Sequence, residues 1–323
     1  MDLTHLSPLF FKELNLSGSF FFTENSFSDQ CRLSAGTPQL AELCGMATVG
    51  LFDFETALLK TDSENIGFVL IERNGDCGDC LIFSPAASSA EIKDEFSDLL
   101  DTLLSFATPT HTVVISAGDL REDITEYYSK DALALFEEQN SKIPAYDSVY
   151  SVRRVEKARE AFLKMIAETG ASISGESSVL EICCGNGMST LALYAENLHP
   201  VCLDVNTEDI CTGLFHGVLN PAKTMIMDAT KLSDTFDENS FDIVVGFMIG
   251  TVYEFNKQVW FAIVDEAAAI LKKGGFLFLT LRTEAETVMI ADYLKSIGFP
   301  GKMMDNRDEE TGYDQWIYVG KKQ

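Results

Sequence analysis

A doubly wound α/β sheet, preceded by a smaller α+β region, is the fold class the sequence predicts. Three observations lead there. Short apolar runs near residues 179, 201, 224, 242 and 276 alternate with amphipathic helical stretches, the pattern of βαβ units. A glycine loop follows the first of those runs, at Gly185-Asn186-Gly187. Acids stand at or near the ends of the first three, Glu181, Asp204 and Asp228.

The stretch 179–194, VLEICCGNGMSTLALY, reads as a buried strand, a tight loop and the start of a helix. Val179, Leu180 and Ile182 favour a strand, Gly185 and Gly187 break it, and Leu191, Ala192 and Leu193 restart an apolar pattern. Strand, glycine loop and helix in this order build nucleotide-type sites in α/β folds. A dinucleotide fingerprint starting at Gly185 would need glycine where Thr190 stands. Glu181 would also repel a pyrophosphate. A carboxylate beside such a loop suits a ligand with an ammonium group and no phosphate.

Composition narrows the partners. The 323 residues suffice for two domains, and 46 % are hydrophobic against 23 % charged. Lys and Arg number 24 and Asp and Glu 50, a net charge of −26. Residues 1–150 hold 8 basic and 25 acidic side chains, net −17, and residues 151–323 hold 16 and 25, net −9. So acidic a protein lacks the overall basic footprint that nucleic acid or an anionic membrane requires. No apolar run reaches the length of a membrane span. The first residues, MDLTHLSPLFFKEL, lack a basic segment followed by a long apolar one, so a cytoplasmic location is expected. Eight cysteines in such a chain read as reduced thiols.

Residues 1–140 are expected to form the α+β domain, of unknown role, and 150–323 the α/β domain. The linking stretch 138–148, EEQNSKIPAYDS in context, is polar and interrupted by Pro144. Within the first domain, 18–22, 66–72, 81–83 and 111–116 read as strands, and 39–51 and 89–106 as helices. Cys77 and Cys80 sit in a polar turn between two strands. A zinc knuckle would need two further ligands, and Cys31 and Cys44 are poorly spaced for it. A turn with two ordinary thiols is the simpler reading.

In the second half, 152–168 has helical spacing, with Val155, Ala158, Phe162, Leu163 and Ile166 expected to face inward. Strand 200–205 ends at Asp204, 23 residues after Glu181, the separation of one βαβ step. A carboxylate there can accept from both hydroxyls of a ribose. Strand 224–227 is closed by Asp228 and Ala229, and strand 241–249 brings Phe247 and Met248 to its carboxyl end. Helix 256–271 should bury Val259, Ile263, Ala267 and Ile270, with Gly274 ending it. Strand 276–281, helix 284–297 and strand 315–320 complete the chain, with 303–314 as a partner strand or a loop.

The run Glu-Ile-Cys-Cys-Gly-Asn-Gly resembles motif I of the class I S-adenosylmethionine-dependent methyltransferases, an acid, an apolar residue and G-x-G-x-G. Cys183 stands where the first of those glycines is usual. The phrase LKKGGFLFLTLR is similar to the family's helix–Gly-Gly–strand segment, and the resemblance covers roughly 150–320. It implies a Rossmann-like, seven-stranded sheet, an enzyme of the transferase class, and S-adenosylmethionine as cofactor. It places Glu181, Cys183, Gly185, Asn186, Gly187, Asp204, Val205, Asp228, Ala229 and Phe247 around that cofactor, with Glu181 on its ammonium and Asp228 on the adenine amino group. Asp228 reads equally as a helix cap, and Phe247 as core.

No metal is implied, and no residue is assigned a catalytic role. Tyr253 and Glu254 are candidates for orienting the acceptor or taking its proton, and Tyr146, Tyr150 and Arg154 for closing the site. The acceptor is expected to be a small molecule or a protein side chain. The alternatives are a non-catalytic scaffold that binds the same ligand and a nicotinamide-dependent oxidoreductase, the latter opposed by Glu181 and Thr190.

Overall fold

The structure is a computed structural model that describes residues 20–33, 54–72, 80–106, 108–139, 142–308 and 310–323. The chain divides into two compact units, Met1–Lys130 and Asp131–Gln323.

In the first unit a five-stranded sheet has the order β1-β4-β3-β2-β5, from β1 (Phe20–Phe22), β2 (Phe54–Lys60), β3 (Asn65–Glu72), β4 (Cys80–Phe83) and β5 (His111–Val114). The predicted hairpin is present as the antiparallel pair β3 and β4, with Val69 opposite Ile82. Its turn, with Cys77, and the predicted helix 39–51 lie outside the described residues. A short helix α1 (Phe27–Gln30) follows β1, and α2 (Ala90–Phe106) packs Phe96, Leu100 and Leu103 on Phe68, Leu70 and Phe83. Those three residues of α2 are spaced 4 and 3 apart in sequence, so they fall on one helical face. The division between the units falls within α3 (Ala117–Glu138).

The second unit carries the seven-stranded α/β sheet. Its strands are β6 (Val179–Ile182), β7 (Val201–Asp204), β8 (Thr224–Ile226), β9 (Phe241–Gly246), β10 (Leu271–Leu281), β11 (Gly301–Asp305) and β12 (Trp316–Lys321). They lie in the order β11-β12-β10-β9-β6-β7-β8. All run parallel except β12, which is antiparallel to both of its neighbours. The helices are α4 (Tyr146–Val149), α5 (Val152–Thr169), α6 (Thr190–Ala195), α7 (Thr207–Phe215), α8 (Lys257–Ile270) and α9 (Glu284–Ser296). Ala158, Ala161, Phe162 and Met165 of α5 pack on Val179, Ile243, Val245 and Phe278 of the sheet.

The order runs outward from β6 through β7 to β8 and then restarts on its other side at β9. The carboxyl ends of β6 and β9 therefore form the topological switch point, where open α/β sheets bind ligands.

Two expectations need correction. Leu163 and Val259 were placed inward but are 39 % and 53 % exposed, since each lies at the margin of its helix's apolar stripe. Gly274 does not end α8, which stops at Ile270. It lies within β10 at φ +79, where a register shift separates the pair Leu271–Phe241 from Phe276–Ile243. A glycine is needed there for the positive φ inside a bulged strand. The expected last strand of the sheet has β11 as its partner, as one of the two readings of 303–314 required, although β11 begins at Gly301 and ends at Asp305.

Candidate functional site

A cavity of about 210 Å³ opens at the switch point. Its wall on the β6 side is the loop 183–189, with Cys183, Cys184, Gly185, Asn186, Met188 and Ser189; Phe247 and Met248 enter from the end of β9. Arg154, Ala158, Asp209 and Asp314 complete the lining.

The loop turns sharply. Cys183, Gly185 and Gly187 all have positive φ, at +54, +55 and +81. Gly187 must be glycine on two counts, because a Cβ there would also stand 2.7 Å from Leu219 Cδ2. At Gly185 a Cβ would meet nothing within 4 Å, so this residue leaves open space on the cavity side of the turn. The Gly185 N–H donates to Asp204 Oδ2 at 2.9 Å, and the Cys184 N–H to the Leu203 carbonyl at 3.1 Å, tying the loop to the end of β7. The Tyr150 hydroxyl donates to the Asn186 carbonyl at 2.8 Å, so the segment before α5 fastens the loop from outside. Tyr146 packs on Tyr150 with ring centres 4.6 Å apart.

Glu181 is fully buried beneath the loop and is not part of the cavity wall. Ser189 Oγ donates to its Oε1 at 2.7 Å and Thr190 Oγ1 to its Oε2 at 2.6 Å. Burial pushes its carboxyl up to about 7, against the opposing hydrogen bonds from Thr190, Ser189 and Cys202. The side chain thus fastens the start of α6 to β6. Burial also pushes the Cys183 thiol up to about 12, helped by Asp204, Asp228 and Glu181, which leaves it a neutral, unreactive group.

Asp204 ends β7 half-buried, its Oδ2 bonded to Gly185 and its Oδ1 to the Asn206 N–H at 2.8 Å. A carboxylate offers about four lone-pair positions, so acceptor capacity remains on both oxygens. Val205 follows with its side chain 70 % exposed. Asp228 caps the 3-10 turn Ala229–Asp234, its Oδ1 accepting from the N–H and the hydroxyl of Thr230, both at 2.9 Å. The cap reading is therefore correct, and it uses one oxygen only; Oδ2 has no hydrogen-bond partner among the described residues. Ala229 is buried. Phe247 serves both readings, lining the cavity while its far side packs against Phe162 with ring centres 6.5 Å apart.

The expected acceptor-side residues are not in the cavity wall. Tyr253 is 52 % exposed and stacked on Phe255, and Glu254 pairs with Lys257. Asp314 and Asp209 do line it and were missed. The available sign for Asp314 was the polar Gly312-Tyr313-Asp314 just before an apolar strand, which resembles any loop. Its distinction is conformational. Six described residues other than glycine have positive φ, and three of them, Cys183, Met248 and Asp314, surround this one cavity. Such backbone costs about 1–3 kcal/mol per residue and tends to collect at functional sites.

A family model described as a methyltransferase domain matches residues 179–275, from the first residue of β6 to the bulge in β10. No curated protein matches the chain. Among solved structures, the chain is similar to a 1,6-didemethyltoxoflavin-N1-methyltransferase of Burkholderia thailandensis, at 12 % identity, over 60 % of this chain and 87 % of that one, with a TM-score of 0.41. A putative S-adenosyl-L-methionine-dependent methyltransferase of Methanococcus maripaludis gives 13 %, 60 %, 93 % and 0.41 for the same measures. An S-adenosylmethionine-dependent methyltransferase of Clostridium acetobutylicum gives 13 %, 61 %, 99 % and 0.42. The matched segment thus makes residues 179–275, which carry the glycine loop, Asp204, Asp228 and the switch point of the sheet, similar to a methyltransferase domain.

Proposed function

We propose that the protein is an enzyme that transfers a methyl group from S-adenosylmethionine to a small molecule or a protein side chain, and that the cavity at the switch point holds this cofactor. One observation carries the reading: a glycine loop with open space at Gly185 adjoins two carboxylates that keep acceptor capacity, Asp204 bonded to the Gly185 N–H and Asp228 close enough to act on the Cys183 thiol, both just outside the cavity's own wall. When bound, the cofactor supplies a methyl carbon activated by its sulfonium.

The residues then take these roles. Asp204 accepts from the ribose hydroxyls, with the Val205 backbone beside it, and Asp228 Oδ2 accepts from the adenine amino group, next to Ala229. Cys183, Gly185, Asn186 and Gly187 form the turn that lets the ligand approach the backbone, and Phe247 supplies an apolar surface. Glu181 acts at one remove, by holding Ser189 and Thr190 and with them the exit of the loop. A pyrophosphate over this loop would meet Asp204, whose carboxylate already occupies the Gly185 N–H, so a dinucleotide is disfavoured. Methyl transfer is an in-line displacement, and holding the nucleophile against the methyl carbon supplies much of the rate. A net charge of −26 repels polyanions, which favours small-molecule or protein acceptors.

Titration calorimetry with S-adenosylmethionine, S-adenosylhomocysteine and NAD tests the ligand, with binding of the first two and not of NAD expected. Labelled methyl groups followed into cell-extract fractions test the acceptor. Label recovered in the nucleic acid fraction would overturn the acceptor class.

A further inference from the structure

We propose that Asp314 and Arg154 together grip the amino acid end of the cofactor, Asp314 taking the ammonium and Arg154 the carboxylate. This rests on the reading that the cavity holds S-adenosylmethionine. Both residues lie outside the segment that the family model matches, one before it and one after.

Asp314 is 4 % exposed and lines the cavity. Its Oδ1 accepts from the Thr280 hydroxyl, and Thr280 Oγ1 in turn accepts from the Met248 N–H at 2.8 Å. Its Oδ2 has no hydrogen-bond partner among the described residues. Burying a carboxylate costs free energy, and burial accordingly pushes its pKa up, against the Thr280 hydrogen bond and the charges of Arg154 and Lys157. An ammonium placed against Oδ2 removes that cost. The position is set by more than one contact, because Asn306 Nδ2 donates to the Asp314 carbonyl at 2.8 Å. Asp314 and Met248 also both hold left-handed backbone, at φ +51 and +48.

Arg154 enters the cavity from α5 with its guanidinium carbon 3.7 Å from the centre of the Tyr313 ring. Stacking uses the face of the guanidinium and leaves its N–H groups free for a carboxylate. Among the described residues Arg154 makes no hydrogen bond and no ion pair, including with Asp314. One cavity thus presents a cation and an anion that act on each other through space without forming an ion pair, a combination that fits an α-amino acid zwitterion. An isolated amine would use only Asp314, and a phosphate would be repelled by it. Glu181 is no competitor for the ammonium, since it is fully buried beneath the loop and absent from the cavity wall.

S-adenosylhomocysteine carries the amino acid, and 5′-methylthioadenosine is the same nucleoside thioether without it. The expected result is that Asp314→Asn weakens S-adenosylhomocysteine tenfold or more in calorimetry and leaves 5′-methylthioadenosine unchanged. Arg154→Met should show the same selectivity, and it reads the proposal if Asp314→Asn does not fold. Unchanged S-adenosylhomocysteine affinity in both variants overturns the proposal and leaves the carboxylate to the methyl acceptor. Equal losses for both ligands overturn it too, and make the residues merely structural. A wild-type protein that binds neither ligand overturns the cofactor reading itself, and with it this inference.

Discussion

On the β6 side of the cleft, the 183–189 loop is fixed by left-handed backbone, by N–H bonds to Asp204 and the Leu203 carbonyl, and by buried Glu181 beneath it. On the opposite side, the segment between β11 and β12 is fixed by charge. Lys157, 4 % exposed, pairs with Asp308 at 2.8 Å and donates to the Asn306 carbonyl, and Arg153 approaches Asp308 at 3.7 Å. The first wall depends on which residue types can adopt its backbone, and the second on which side chains carry charge. One should be sensitive to single carbon atoms, the other to ionic strength and pH.

The comparison is broken most severely at Gly187. Gly187→Ala adds a Cβ against Leu219 at φ +81 and should cost roughly 2–4 kcal/mol. Denaturant unfolding measures it, and S-adenosylhomocysteine binding should be lost with it. A smaller effect is expected on the charged wall, where Lys157→Met should cost about 1–3 kcal/mol in thermal unfolding. Its sign with pH follows from Asp308, whose carboxyl Lys157 holds well below the usual 3.8. Because the folded pKa is depressed, this contribution is present above about pH 4 and fades as pH falls toward the lowered value. Added salt should weaken the wild type more than the variant. The smallest effect sharpens the other side: Cys183→Gly relieves φ +54 and should stabilise by about 1 kcal/mol or less. A destabilised variant in urea melts would mean that the thiol's packing outweighs the backbone strain.

The same contrast explains what was legible in the sequence. The loop wall is local: an apolar run, Gly185 and Gly187, and acids one βαβ step apart are contiguous enough to be read, and β6, β7, β8 and β9 lie close to where apolar periodicity puts them. The direction of Glu181 was not legible. Whether a strand carboxylate faces a ligand or two hydroxyls eight and nine residues ahead depends on the path of the loop between them. The charged wall was not legible either. Asp314 acquires its meaning from Thr280, 34 residues away, and Arg154 from Tyr313. Polar residues in a loop carry no periodic signal that would announce such pairings. Leu163 and Val259 failed for a lesser reason, since helical spacing finds a stripe but not the edge of its cover.

The clasp from Lys157 to Asn306 joins positions 149 residues apart. Chains emerge from the ribosome amino end first, so the glycine turn is synthesised long before the residues that complete its far wall. A nascent enzyme arrested short of residue 306 would carry the recognisable motif and most of the parallel strands, yet lack the carboxylate at 314.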